Sequence, residues 1–190
     1  MKSLYTRSAA LLCASVLAAC GGSGSGSLPL TGSIQGLNRG GLILSNNGKQ
    51  LVIDGVQGNF SFPDLVAQDS DFEIKVDKSP VGQQCAAFNN KNKANYYTVS
   101  QTVISCTTDS YALGGSISGL TGTGLVLANG DARVSPQAGA TDFTFAALVP
   151  NAAPYGVTVL TQPTNQTCTV SNGTGTMPIA AKHDVVVTCQ

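Results

Sequence analysis

Tryptophan is absent from this 190-residue sequence, histidine occurs once, and charged residues make up only 11% of it. Ten basic residues cancel ten acidic ones with no basic block, which argues against a nucleic-acid partner. No Cys-x-x-Cys pair occurs, and a single imidazole gives little to build a zinc site from. No cofactor is expected. No apolar run reaches the roughly 20 residues needed to cross a bilayer comfortably as a helix. What is abundant is glycine, at 22 residues, together with Ser, Thr and Val. Few good helix formers and many turn formers favour an all-β, turn-rich chain.

The chain is a tandem repeat with a period of 83 residues, so that Cys85 returns as Cys168 and Cys106 as Cys189. Gly-Ser-Ile-x-Gly-Leu at 32–37 returns at 115–120, Gly-Leu-x-Leu at 41–44 returns at 124–127, and Phe-x-Phe at 60–62 returns at 143–145. Leu65-Val66 returns as Leu148-Val149, and Pro80-x-x-Gln83 as Pro163-x-x-Gln166. The repeat sets module 1 at 32–107 and module 2 at 115–190, joined by a short linker at 108–114. Repeated apolar positions alternate as half-buried strands require: Phe72, Ile74 and Val76 in module 1, Tyr155, Val157 and Val159 in module 2. Asn46-Asn47-Gly48 and Asn129-Gly130-Asp131 read as hairpin turns. With a strand roughly every 8 to 12 residues, each module reads as a small sandwich or Greek-key barrel.

Modules this small bury limited apolar surface and commonly need staples. Identical spacing in both repeats selects the pairings Cys85 with Cys106 and Cys168 with Cys189. Each closes a loop of about 20 residues, worth about 3 kcal/mol in the loop-entropy description. Such disulfides point to an oxidising compartment.

Residues 1–19 read as an export signal, with Lys2 and Arg7 before the short apolar core AALLCASVLAA. Leu17-Ala18-Ala19-Cys20 resembles the lipobox of bacterial lipoproteins. The resemblance implies cleavage before Cys20, lipidation of its thiol, and acylation of the new amino terminus. With Gly21 and Gly22 rather than Asp after that cysteine, it also implies delivery to the outer membrane, the leaflet being open. The Gly/Ser-rich stretch that follows, within 20–31, is expected to be a flexible tether.

GSISGLTGTGLVLANG, the two Phe-x-Phe pairs, and YGVTVLTQPTNQTCTVSNGTG followed by VVVTC resemble the immunoglobulin-like repeats found in tandem in proteobacterial surface proteins and lipoproteins. That resemblance covers most of the chain after the signal. It implies two immunoglobulin-like β-sandwich modules, each with one disulfide, serving as a non-catalytic spacer, display or binding element of the cell envelope. The partners expected are the membrane, through the lipid, and an unidentified protein or polysaccharide.

The repeats diverge most at FNNKNKANYY (88–97), which faces SNGTGTMPIA in module 2. Phe88, Lys91, Lys93, Tyr96 and Tyr97 combine charge with rigid contact area and form the candidate contact loop. The bland reading is a solvated hairpin whose aromatic residues pack inward. His183 beside Asp184 offers the only route to a hydrolase, without a Gly-x-Ser-x-Gly elbow to support it. A carbohydrate-binding module is a further alternative, mildly disfavoured by the missing tryptophan. Asp69, Asp71, Glu73 and Asp77 have the oxygen chemistry of a calcium site, yet strand alternation spreads such residues along a solvated face. Asn-x-Ser/Thr triplets at Asn59, Asn165 and Asn172 read as turn markers.

Overall fold

The computed structural model describes residues 26–190; the export signal, Cys20 and the tether as far as residue 25 lie outside them. Module 1 comprises β1 (Ser27–Gln35), β2 (Leu42–Asn46), β3 (Lys49–Ile53), β4 (Asn59–Ala67), β5 (Asp71–Lys78), β6 (Gln83–Phe88), β7 (Lys91–Lys93) and β8 (Thr102–Thr108), with a 3₁₀ turn at Thr98–Ser100. Module 2 comprises β9 (Ser110–Tyr111), β10 (Leu113–Ser118), β11 (Val126–Asn129), β12 (Ala132–Val134), β13 (Asp142–Thr144), β14 (Val149–Pro150), β15 (Pro154–Thr161), β16 (Cys168–Ser171), β17 (Thr174–Thr176) and β18 (Lys182–Cys189). Each module is a β-sandwich with its own core and its own disulfide.

In module 1 one sheet has the order β4-β1-β8-β6 and the other β3-β2-β5-β7; module 2 repeats this as β13-β10-β18-β16 and β12-β11-β15-β17. The first and last long strands of each module run parallel, Gly32 to Gln35 beside Thr102 to Ser105 and Gly115 to Ser118 beside Val185 to Thr188. The first strand thus lies between the fourth and the last, whereas the constant-type antibody partition places it beside the second. The likeness to immunoglobulin domains is one of two-layer architecture, with its own strand order.

The cores follow from the alternation. Leu30 and Ile34 of β1, Phe60 and Phe62 of β4 and Ile104 of β8 meet Leu42, Leu44, Phe72 and Ile74 of the facing sheet. Module 2 repeats the arrangement with Leu113, Ile117, Phe143, Phe145 and Val187 against Leu125, Leu127, Tyr155 and Val157. Both Phe-x-Phe pairs bring their rings edge to face, with centroids 6.0 Å apart in module 1 and 5.8 Å in module 2. The cysteines pair as the repeat predicts, in register across β6 and β8 and across β16 and β18.

The first predicted hairpin turn forms as its sequence specifies. Asn47 and Gly48 both have positive φ and close the β2–β3 hairpin, the pattern of a type I′ turn. Asn89 and Asn172, one repeat apart, also take positive φ, at the corner where the chain leaves one sheet for the other.

Module boundaries differ from those drawn on sequence identity. The first strand reaches back to Ser27, with Leu30 wholly buried, and so takes up residues assigned to the tether. Its counterpart starts at Ser110 with Tyr111 and Leu113, inside residues assigned to the linker. Leu28 and Tyr111 are equivalent positions of unlike identity, which hid the start of both strands. Between β8 and β9 only Asp109 remains.

Asp109 sits in a built joint. Its N–H donates to the Gly82 carbonyl (3.0 Å) and its carbonyl accepts from Asn151 N–H (2.8 Å). Arg39 of module 1 donates through Nη1 to the Asn151 side-chain oxygen (2.6 Å) and to the Val81 carbonyl (2.9 Å). Asn151 itself is buried.

Candidate binding surface

Most ion pairs of module 1 lie on one sheet; the other carries Asp64 of β4, paired with Lys49 of β3 at 3.9 Å. On β5 and its neighbours, Lys93 pairs with Asp71 at 3.5 Å, Lys91 with Glu73 at 3.6 Å, and Lys75 with the same Glu73 at 3.5 Å. The Ser45 hydroxyl, donating to Asp77 at 2.7 Å, holds that carboxyl below the usual carboxylate range. Gln50 adds to the effect at 3.1 Å, slight desolvation opposes it, and Lys75 contributes last. The other sheet is different. Thr31, Ser33 and Gln35 of β1 alternate with the buried positions of that strand and face outward. Ser33 lies beside Asn59 on one side and Val103 on the other, and Val103 lies beside Phe88. No acid or base interrupts this row.

The proposed contact loop is therefore split between two faces. Lys91 and Lys93 belong to the ion-paired sheet. Phe88, 55% exposed, lies on the other sheet, beside Val103. Tyr96 and Tyr97 stand at the turn between the sheets, 81% and 76% exposed, so inward packing does not describe them. Their rings meet edge to face at 5.7 Å.

The turn holds them there. Asn95 accepts from the backbone N–H groups of Tyr97 and Thr98 at 2.9 and 3.0 Å. Thr98 accepts in return from Asn95 N–H at 3.0 Å, and its hydroxyl donates to the Lys93 carbonyl at 2.6 Å. Ala94 and Val99, buried on either side, anchor both ends of the turn. In module 2 these positions are Pro178 and Ala181, which cannot make that clasp.

Two adjoining recesses open near this turn, the smaller of them against Tyr96. The larger, of about 650 Å³, lies over Thr31, Ser33, Gln57, Asn59, Ser61 and Ser100. The smaller, of about 320 Å³, is walled by Leu28, Pro29, Tyr96 and Val99 and shares Thr31 and Ser100 with the first. Neither is lined by a charged side chain. No protein-family model matches this chain, and no curated protein matches it. What the surface can do is therefore argued from its chemistry: hydroxyls and amides that donate and accept without charge, next to an exposed aromatic face.

The remaining candidates do not converge on a site. His183 is exposed and lies at the start of β18. Its neighbour Asp184 takes the Lys182 ammonium at 2.6 Å, a hydrogen bond that raises the Lys182 pKa. Asp69, Asp71, Glu73 and Asp77 are spread along one strand and the turn before it, and no three potential ligands come together among the described residues. Asn165 and Asn172 occupy turns at positive φ, while Asn59 starts β4.

Sequence reasoning missed Gln83 and Gln166, although it found them repeated. The Gln83 amide donates to the Gly36 carbonyl at 2.8 Å and accepts from Asn38 N–H at 3.2 Å. Gln166 does the same for Gly119, Thr121 and Gly122. These two amides fasten the loop after the first strand of each module, and the buried Gln83 is the more enclosed of the two.

Proposed function

We infer that this chain is a lipid-anchored protein of the outer membrane, facing either side of it and without catalytic activity, whose two stapled modules display a binding surface. The observation that carries the reading is the order of parts along the chain: an apolar export segment, Leu-Ala-Ala-Cys20, a run of Gly and Ser, then the first residue of β1 at Ser27. More than one acyl chain on Cys20 gives stable anchoring, at about 0.8 kcal/mol per buried methylene. Two intramolecular disulfides are consistent with residence outside the reducing cytosol. The lipid fixes one end, the Gly/Ser stretch supplies reach, and the joint at Asp109 keeps module 2 from swinging on module 1.

Protease shaving of intact cells, with mass spectrometry of the released peptides and of the retained fragment, tests this. Expected is an acylated Cys20 peptide left in the membrane, and loss of its acyl mass in Cys20→Ser. Release of module peptides from intact cells places the display outward, and protection until the outer membrane is opened places it in the periplasm. An unmodified Cys20 in the membrane fraction overturns the lipid anchor.

A further inference from the structure

We propose that the two uncharged recesses over β1 and β4 of module 1, together with the Asn95–Thr98 turn, are a binding site for a neutral oligosaccharide segment, with Tyr96 as its stacking platform. The proposal rests on the reading of the chain as a non-catalytic binding protein and names the ligand class.

Three observations point to this ligand. First, the recesses over Thr31, Ser33, Asn59, Ser61 and Ser100 and beside Tyr96 are lined without a formal charge. A phosphate, a charged peptide or an acidic polymer would find no counterion there, whereas sugar hydroxyls exchange hydrogen bonds with Ser, Thr, Asn and Gln in both directions. Secondly, a pyranose ring presents a face of C–H groups and a rim of hydroxyls, so its complement is an aromatic face bordered by amides and hydroxyls. Tyr96, 81% exposed, supplies that face at the edge of the smaller recess. The clasp of Asn95 with Thr98 fixes the turn before any ligand arrives, which lowers the entropy lost on binding.

Thirdly, the second module serves as an internal contrast. One repeat away, Thr31 becomes Gly114, Asn59 becomes Asp142, Tyr96 becomes Ile179 and Ser100 becomes His183. The sandwich is preserved, and Ser33 and Ser61 keep a hydroxyl as Ser116 and Thr144, while two hydroxyls, the neutral amide and the aromatic face are replaced, so these last features are not demanded by the fold. Each recess, at about 650 and 320 Å³, falls within the range of ordinary ligand sites.

The test uses the full chain in a polyoxyethylene detergent, which carries no sugar. Affinity electrophoresis is run in gels containing laminarin, galactomannan or xyloglucan as neutral probes and alginate as an acidic one, and chito-oligosaccharides are titrated by calorimetry. Expected is retardation by, or heat from, at least one neutral probe and none from alginate. Tyr96→Ala and Asn59→Asp then weaken that binding by about tenfold or more, while Ile179→Ala leaves it unchanged. Chito-oligosaccharide binding alone assigns the ligand to amino-sugar chains such as those of the cell wall; binding of the other neutral glycans assigns it to an external polymer. Absence of binding to every neutral probe overturns the site, as does equal binding by Tyr96→Ala with its fold intact by circular dichroism. Concentration-dependent dimerisation that Tyr96→Ala abolishes, without glycan binding, overturns it in favour of a second copy of this chain. None of these outcomes bears on acylation of Cys20, so failure here is distinguishable from failure of the lipid anchor.

Discussion

Gln83 shows how much a single amide does in a module of this size. It is 3% exposed, and its two hydrogen bonds serve backbone groups of the loop after β1. Gln83→Ala strands the Gly36 carbonyl and the Asn38 N–H, so a loss of about 1–3 kcal/mol is expected by urea denaturation. Gln84→Ala, on an exposed neighbour, is expected within about 0.5 kcal/mol of the parent. The sequence marked Gln83 and Gln166 as repeated without revealing why, because recurrence shows that a position is constrained and not by what. The partner is a backbone carbonyl 47 residues away, and backbone carbonyls leave no trace in a side-chain pattern. Asp77 gives a pH dependence at the same scale. Its folded-state pKa is lowered by Ser45 and Gln50. The carboxylate therefore adds stability above its unfolded-state range, and that contribution is lost as pH falls through the lowered folded value. Asp77→Asn is expected to show a smaller drop in urea midpoint between neutral and acidic solution than the parent.

The elements were legible where local chemistry decides them. The β2–β3 hairpin was readable because Asn47-Gly48 is suited to two successive positive φ angles. Gly48→Ala is expected to cost about 1–2 kcal/mol for its left-handed backbone, whereas Gly55→Ala, with open space and no positive φ, is expected to be neutral or slightly stabilising in the same thermal melt. The disulfides were readable because two copies of one spacing admit one consistent pairing. Replacing Cys85 and Cys106 together by Ser is expected to lower the stability of module 1 by about 3 kcal/mol, seen as an earlier urea transition. Strand order was not legible. Alternation tells which face of a strand is buried but not which strand lies beside it, and β1 lies between β4 and β8 through backbone bonds alone. The outward placement of Tyr96 and Tyr97 was hidden for a related reason. The 3₁₀ turn at Thr98–Ser100 breaks the two-residue period, so parity along the chain no longer says which way a side chain faces.

At the scale of the molecule, the modules meet through a joint whose hydrogen bonds fix more than their number implies. Arg39 reaches both Val81 of its own module and Asn151 of the other, and β9 pairs with β14 immediately beyond Asp109. Arg39→Ala is expected to broaden the inter-module distance distribution in small-angle X-ray scattering. Arg133→Ala, which removes bonds only to nearby carbonyls in its own hairpin, is expected to leave it unchanged. The joint escaped sequence reading because Arg39 and Asn151 stand 112 residues apart and neither has an identical counterpart one repeat away.

The parallel pairing of first and last strands in each module also determines how the chain bears load. Tension applied through the residues before β1 and after β8 pulls these neighbouring strands in opposite directions along their length. Their hydrogen bonds, at Gly32 to Gln35 against Thr102 to Ser105 and again at Gly115 to Ser118 against Val185 to Thr188, lie across the pull and are sheared together instead of being unzipped one at a time. Under tension along the whole chain, the two modules, each with this parallel pair, stand in series as mechanically resistant links.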